Sequence, residues 1–166
     1  AIGDEAIILS FADGNNWAPM FVSPEGQCLV ADRRGRFAED SDLVQVALDG
    51  SGETQALVEG PADTVMSQIS PDGRWLAWTS DRSGRYEVYA ARYPGLKART
   101  QISRNGGSEA RWSRDGSELL YKGIDNWVVT VSVERVSGTL ATGEPQRLFQ
   151  LNEFDGWTYA VGTEEG

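Results

Sequence analysis

The chain has 166 residues and is acidic, with a net charge of −10, 40% hydrophobic residues, 19 glycines and 6 tryptophans. This length predicts one domain with a hydrophobic core. Nucleic acids and anionic membranes are bound through Lys and Arg, so the acidic balance predicts neither as a partner. No stretch approaches the ~18 apolar residues of a membrane-spanning helix, and no membrane insertion is expected. Because the chain starts at Ala1 without Met, we expect a processed or excised piece whose compartment is unknown.

Three similar stretches follow one another along the chain, each with a serine at the start of a turn. VSPEGQCLVADRRGRF begins at Val22, ISPDGRWLAWTSDRSGRY at Ile69 and WSRDGSELLYKGIDNW at Trp112. The turn serines are Ser23, Ser70 and Ser113. Their separation of roughly 45 residues is typical of propeller blades, each of which is a four-stranded sheet.

The middle stretch predicts a complete blade of four strands. Pro71 presets φ at the second position of a Ser-Pro-Asp-Gly turn, Asp72 bonds locally, and Gly73 accepts a positive φ. A second turn covers Asp81–Gly84. Aromatic, β-branched and alternating residues predict four strands around these turns. They are Val65–Ile69, Trp75–Thr79, Tyr86–Arg92 and Arg99–Ser103.

The first and third stretches predict blades of the same kind. Their third and fourth strands are predicted at Leu43–Leu48 and Gln55–Val58, and at Trp127–Val133 and Gln146–Gln150. A single domain over residues 1–166 then contains blades at about 15–60, 61–107 and 108–151. Partial-blade strands are predicted on either side of them, an outer strand at 5–12 and an inner strand at 156–162. No long helix is predicted.

The middle sequence SPDGRWLAWTSDRSGRYEVY resembles the repeat of TolB-type β-propellers, which also occurs in the propellers of prolyl-oligopeptidase-like peptidases. GEPQRLFQL followed by YAV is similar to the propeller tails of some bacterial Ser/Thr kinases and transcriptional regulators. The third copy departs from the pattern, because Arg114 replaces the turn proline and Lys122–Asn126 replaces the Asp-Arg-x-Gly turn. The resemblance implies an all-β fold, a partial β-propeller of three four-stranded blades plus additional edge strands. It also implies a bacterial protein in the periplasm or another extracytoplasmic location.

The residues needed for nucleophilic catalysis are missing from the sequence. There is no histidine, so no Ser-His-Asp triad can form within the chain. There is also no Gly-x-Ser-x-Gly nucleophile elbow. Ser23, Ser70 and Ser113 are therefore interpreted as turn residues, and we expect no enzymatic activity, no catalytic residues and no cofactor. With 25 acidic residues, the sequence does not single out a carboxylate pair for acid–base chemistry.

Metal binding is expected to be absent, with one alternative left open. One cysteine, Cys28, and no histidine exclude structural zinc. Cys28 itself is predicted to be a small buried residue on a strand. Glu39-Asp40-Ser41-Asp42 could supply oxygen ligands to calcium. It lacks the spacing of a calcium-binding loop, and a solvated hairpin loop is the other interpretation.

Several charged, glycine-rich and aromatic segments have both a binding and a structural interpretation. The basic turns Asp32–Arg36 and Asp81–Arg85 could grip a carboxylate or phosphate. Their recurrence at matching blade positions favours aspartates that stabilise their own turns and arginines that are solvated or paired between blades. Asp49–Gly52 lacks the lysine and the helix of a phosphate loop. Of the six tryptophans, four are expected in the core, whereas Trp17 and Trp157 are candidates for surface contacts.

A non-enzymatic module for protein–protein interaction or scaffolding is the leading functional hypothesis, as the resemblance implies. The alternative is the non-catalytic propeller portion of a prolyl-oligopeptidase-like serine peptidase. A propeller enzyme acting on acidic polysaccharide is disfavoured by the negative charge of the chain. Three blades leave open ends with unpaired strand edges, so self-association into a homodimer is also predicted. The identity of a protein partner does not follow from the sequence.

Overall fold

The structure, a computed structural model, describes residues 14–35 and 41–152. No helix occurs in these two ranges, and none of their residues therefore forms a helix able to cross a membrane. The first sheet consists of β1 (Asn16–Val22), β2 (Cys28–Arg34), β3 (Ser41–Ala47) and β4 (Thr54–Val58). The second consists of β5 (Thr64–Ile69), β6 (Trp75–Ser80), β7 (Glu87–Arg92) and β8 (Thr100–Gln101). The third consists of β9 (Ser108–Trp112), β10 (Glu118–Lys122), β11 (Trp127–Val136), β12 (Thr139–Thr142) and β13 (Gln146–Gln150).

Each sheet is antiparallel and follows the order of the chain. The first two sheets run β1-β2-β3-β4 and β5-β6-β7-β8. In the third sheet, β9, β10 and β11 are the first three strands. β13 pairs with the first part of β11 and β12 with its last part, so these two short strands together take the place of the fourth strand. Three four-stranded sheets that do not close into a ring confirm the predicted all-β partial propeller. The strands predicted at 5–12 and 156–162 lie outside the described residues.

The hairpin between β11 and β12 was not predicted. β11 continues to Val136, beyond the predicted end at Val133, and Val136 pairs with Thr139 across the two-residue loop Ser137-Gly138. Both loop residues have a positive φ, 48° and 86°, as a type I′ turn requires. Leu140 on β12 is buried in the core shared by the second and third sheets, so burial of its side chain stabilises this hairpin.

The middle sheet packs between the other two, which is why all six residues of β6 are buried. Leu76 and Trp78 on one face join a cluster with the first sheet, and Trp75 and Ala77 on the other face join a cluster with the third. The first sheet contributes Val30, Leu43 and Val58 to one cluster. The third contributes Ala110, Trp112, Leu119, Tyr121, Val129, Val131, Val133 and Leu140 to the other.

The turns that begin at Ser23, Ser70 and Ser113 lie against one another in neighbouring blades. Gly73 has φ of 71°, and a Cβ atom placed on it would lie 2.5 Å from Cγ of Pro24 in the preceding turn. A Cβ on Gly116, in the third turn, would lie 3.5 Å from Cδ of Pro71. The positive φ favours glycine at both Gly73 and Gly116. At Gly73 the neighbouring Pro24 ring also leaves no room for a Cβ atom.

Candidate functional site

A large cavity lies where the inner strands β1, β5 and β9 approach one another, and we call it the inner cleft. Its volume is about 850 Å³, which is within the range of small-ligand sites. The lining residues are Asn16, Trp17, Ala18, Met20, Asp32, Arg34, Ser41, Asp63, Val65, Met66, Thr79, Tyr86, Ser108, Glu109 and Lys122. All three sheets therefore contribute to one cavity that combines apolar side chains with charged ones.

Bulges in the inner strands shape this cleft. In β5 the pairing with β6 shifts between Val65 and Gln68, and the intervening Met66 has φ of 58°. In β9 the pairing with β10 shifts at the matching place, where Glu109 has φ of 56°. A bulge of this kind re-aims the side chain and the backbone N–H of the extra residue. Both Met66 and Glu109 line the cleft as a result.

Asp32 on β2 is the least satisfied charged group of the cleft. Its side chain is 6% exposed, and its Oδ2 accepts the backbone N–H of Met66 at 2.8 Å. Oδ1 is buried and has no hydrogen-bond partner among the described residues. The pKa of Asp32 rises to about 7, mainly because the carboxyl group is buried; the hydrogen bond from Met66 opposes this rise and the negative charge of Asp63 adds to it. A cation or donor that reached Oδ1 would be stabilised by this environment.

Asp63, in contrast, is held by three donors from two sheets. Its carboxylate accepts the backbone N–H of Ser41 at 2.9 Å, the hydroxyl of Tyr86 at 2.6 Å, and Nη2 of Arg34 at 3.3 Å. The hydrogen bond to Asp63 is the main reason why the pKa of Tyr86 rises to about 12. Asp63 therefore serves as a link between the first and second sheets.

The remaining charges of the cleft form a second pair. Nζ of Lys122 lies 3.6 Å from Oε1 of Glu109. Asp32, Thr79 and Lys122 occupy matching positions, since they pair with the inner-strand residues Ala18, Val65 and Ser108. Within the described ranges, Asp32 is the cleft carboxylate for which no cation lies within ion-pair distance.

The turn serines have the structural role expected of them. The hydroxyls of Ser23, Ser70 and Ser113 each accept a backbone N–H at the start of the following strand, at 2.9 to 3.0 Å. Two of these hydroxyls also donate to the turn aspartates, from Ser70 to Asp72 and from Ser113 to Asp115. These contacts close the turns, and the sequence has no histidine to activate the hydroxyls.

The two basic turns are not equivalent, which corrects the sequence interpretation. Asp32 lies within β2 and bonds to the next sheet, not to its own turn. Asp81 follows β6, and its Oδ1 accepts the backbone N–H of Asp63. The middle stretch has more residues between Ser70 and Asp81 than the first stretch has between Ser23 and Asp32. Asp32 therefore matches Thr79 in position, not Asp81. Arg33 pairs with Asp42 at 2.9 Å, whereas Arg36 lies outside the described residues.

Five of the six tryptophans lie within the described residues. Trp75, Trp78 and Trp112 are buried, and the partly buried Trp127 packs on the same core, as predicted for four tryptophans. Trp17 lines the inner cleft, while Trp157 is outside the described residues.

The structure describes the Cys28 thiol and only part of the possible calcium segment. Cys28 is a free thiol on β2, half-buried, and burial together with Glu25 and Asp49 raises its pKa. Of the four residues considered for calcium, Glu39 and Asp40 are not described, and Asp42 is paired with Arg33. No group of three metal-ligating side chains occurs in residues 14–35 and 41–152. The possible calcium segment stays a prediction.

The sheets and the cleft define the chain as an open β-propeller arc with a ligand-sized cavity beside its inner strands. No protein-family model matches the sequence, and no curated protein matches it significantly. Solved structures do match the fold. A putative TolB from Agrobacterium tumefaciens is 21% identical with a TM-score of 0.54, over 80% of this chain and 50% of that one. TolB from Acinetobacter baumannii is 17% identical with a TM-score of 0.53, over 78% and 32%.

Enzymes share the same fold with this chain. A puromycin-hydrolyzing peptidase from Mycobacterium tuberculosis is 21% identical with a TM-score of 0.62, over 83% of this chain and 24% of that one. The chain therefore spans half or less of the length of each of these three proteins. The TolB-type propeller fold is confirmed by these matches, but a fold shared by TolB and a peptidase does not define an activity.

Proposed function

We propose that the chain is a non-enzymatic module for protein–protein interaction, and that a segment of the partner binds in the inner cleft. The observation that carries this proposal is the buried Asp32 carboxylate, which has one unpartnered oxygen and no described counter-ion at the wall of a ligand-sized cavity. A Lys or Arg side chain of a partner would supply both a hydrogen-bond donor and a positive charge. The net charge of −10 favours the approach of a basic segment.

The walls of the cleft fit the apolar part of such a segment. Trp17, Met20, Val65 and Met66 offer aromatic and flexible side chains beside the charged groups, and tryptophan and methionine are enriched at interfaces. A partner residue with an apolar side chain next to a basic one would contact both parts of the cleft.

A non-catalytic role is supported by the state of the cleft carboxylates. Asp63 is already bound by Ser41, Tyr86 and Arg34, and Glu109 lies beside Lys122. The sequence has no histidine and its turn serines serve the backbone. We accordingly expect no labelling of the chain by a fluorophosphonate probe for serine hydrolases. Labelling that is lost when one serine is replaced would overturn the non-enzymatic assignment.

Selection of displayed random peptides on the purified chain tests the binding role. We expect enriched peptides to carry Lys or Arg next to an apolar residue, and to lose binding to Ala18→Trp, which places a bulky ring at an exposed position of the cleft wall. Ala56→Trp is the matched control, because Ala56 is an exposed alanine on β4 of the same sheet and does not line the cleft.

Asp32→Asn separates the role of the carboxylate from that of the cavity. This variant should bind the selected peptides at least 10-fold more weakly, because removing a charge-assisted hydrogen bond costs about 1.5–3 kcal/mol. Failure to enrich any peptide, or equal binding to Ala18→Trp and Ala56→Trp, would contradict the proposed function.

A further inference from the structure

A second cavity, which we call the outer groove, lies between the first and second sheets on the side of the linker that joins them. Its volume is about 500 Å³. The linker residues 58–62 form one wall, and Ser80–Arg82, Gly84 and Arg99 form the other. The outer groove shares no lining residue with the inner cleft, so anything bound there is independent of the function proposed above.

Two arginines of the outer groove are fixed on an aromatic pair. The guanidinium of Arg99 lies 5.9 Å from the centre of the Trp78 ring, and that of Arg82 lies 5.7 Å from the centre of the Tyr89 ring. The two rings are themselves stacked, with centroids 6.2 Å apart and planes inclined by 26°. Cation–π contacts of this kind orient guanidinium groups without using up their N–H donors.

Neither arginine has a carboxylate partner within the described residues. No Asp or Glu oxygen there lies within 4.0 Å of the guanidinium of Arg82 or Arg99. Nε of Arg99 donates a hydrogen bond to the backbone oxygen of Leu96 at 3.4 Å. Burial lowers the pKa of Arg99, and the positive charge of Arg82 lowers it further. Both cations line the same cavity, so their positive charges oppose each other there.

The acidic residues of the outer groove do not compensate this pair. Asp81 accepts the backbone N–H of Asp63 through Oδ1, and the exposed Glu59 makes no ion pair among the described residues. Below Arg99, the buried Nε1–H of Trp78 also lacks an acceptor. Although the chain has a net charge of −10, Arg82 and Arg99 line one cavity without an ion-pair partner among the described residues, and their N–H donors face it largely unused.

We infer that the outer groove is an anion-binding site, in which Arg82 and Arg99 together grip a doubly charged oxyanion of the phosphate type. The planar forks of two guanidinium groups match the oxygen atoms of a phosphate. A bound phosphate would remove the repulsion between the arginines. The same chemistry serves a free phosphate ester and a phosphorylated side chain.

Nuclear magnetic resonance titration with inorganic phosphate, at constant ionic strength maintained with chloride, tests the site. The side-chain N–H signals of Arg82, Arg99 and Trp78 should shift and saturate at millimolar phosphate. Arg99→Gln should weaken binding at least 10-fold, and Arg99→Lys should weaken it less, because charge is kept while the fork is lost. Arg92→Gln is the matched control, since Arg92 is an exposed arginine of the same sheet outside the outer groove.

Arg82→Gln keeps the test decisive if Arg99→Gln fails to fold, and it should also weaken phosphate binding at least 10-fold. Titration with a phosphoserine peptide distinguishes the two sources of phosphate. If the phosphoserine peptide binds more tightly than inorganic phosphate, the natural ligand is a phosphorylated side chain of a partner. If the two bind equally, the natural ligand is a free phosphate group. Shifts that do not saturate, or that are equal in wild type, Arg82→Gln and Arg92→Gln, would overturn the inference.

Discussion

At the scale of single residues, Asp32 is where function and stability oppose each other. A carboxylate that is 6% exposed loses most of its hydration, and one N–H from Met66 replaces only part of it. Thr79 and Lys122, at the matching positions of the other sheets, carry no negative charge. Thr79 also has a buried hydroxyl without a partner. The wall of the inner cleft therefore holds polar groups that folding alone does not satisfy, as binding sites often do.

Asp32→Asn is expected to stabilise the chain at pH 8 and to stabilise it less at pH 5. The folded protein holds the Asp32 proton more tightly than the unfolded chain does, because its pKa is raised to about 7. The free energy of unfolding of the wild type therefore falls as the pH rises from about 4 to about 7, by up to about 4 kcal/mol for a shift of this size. Asparagine does not ionise and removes this loss.

Chemical denaturation at pH 5 and pH 8 measures the effect. Glu53→Gln serves as the control, because Glu53 is solvent-exposed and its replacement should leave the difference between the two pH values unchanged. If Asp32→Asn changes the free energy of unfolding by the same amount at both pH values, the buried carboxylate does not ionise as described.

At the scale of elements, the repeated turns do more than reverse the chain. Each turn serine closes its own turn, and the Pro24 ring then lies against Gly73 of the next turn. Blade-to-blade contact also runs through the inner strands, where Trp112 donates its backbone N–H and its indole N–H to Gln68. Turns and inner strands together fix the spacing of neighbouring blades, and thereby the width of the inner cleft.

Gly73→Ala should destabilise the chain more than Gly26→Ala does. Both glycines occupy the same turn position with nearly equal φ, 71° and 73°, so alanine is strained at both by about 1–2 kcal/mol. Only at Gly73 would the new Cβ collide with Pro24, whereas nothing lies within 4 Å at Gly26. We expect an additional cost of about 1–3 kcal/mol at Gly73.

Thermal unfolding of the two variants, compared in one buffer, isolates this contact between the turns. A third variant, Pro24→Ala with Gly73→Ala, should recover part of the additional loss because it removes the Cγ atom of the proline. Equal melting temperatures of Gly73→Ala and Gly26→Ala would show that the Pro24 ring yields freely and does not set the blade spacing.

At the scale of the whole molecule, the arrangement of the sheets is an open arc. The middle sheet is covered on both faces, whereas the described strands of the first and third sheets pack against it on one face each. All five residues of β13 are exposed, including the apolar Leu148 and Phe149. Unpaired edges and uncovered faces favour association with further chains.

We expect the chain to form a homodimer in solution through its open ends. Two arcs of three blades would supply six blades, within the usual four to eight of propellers, and two-fold symmetry is the commonest closed arrangement. Light scattering over a range of concentrations measures the mass. Deletion of residues 157–166, where a stray inner strand is predicted, should weaken the dimer. A chain that stays monomeric at high concentration would contradict this prediction.

The sequence by itself determined the fold class and most strand positions, because these depend on neighbouring residues. The Ser-Pro-Asp-Gly sequence sets its own φ angles and hydrogen bonds, so the predicted Trp75–Thr79 differs from β6 by a single residue. The Ser137-Gly138 hairpin is also a local feature, since glycine at the second loop position is typical of a type I′ turn. It was missed because the third strand of the third copy was predicted to end at Val133.

Only the tertiary structure decided which residues share a cavity. The inner cleft brings together Asp32 from the first sheet, Asp63 from the residue before β5 and Glu109 from the third sheet, and no spacing along the chain encodes their proximity. Asp32 was assigned to a turn because its sequence looks like that of Asp81, whereas pairing with Ala18 puts it on β2, facing the next blade. The outer groove likewise depends on two aromatic rings that stack only when β6 and β7 pair. The burial of a residue and the charges around it depend on neighbours that are distant in the sequence. They are therefore set only when the sheets pack together.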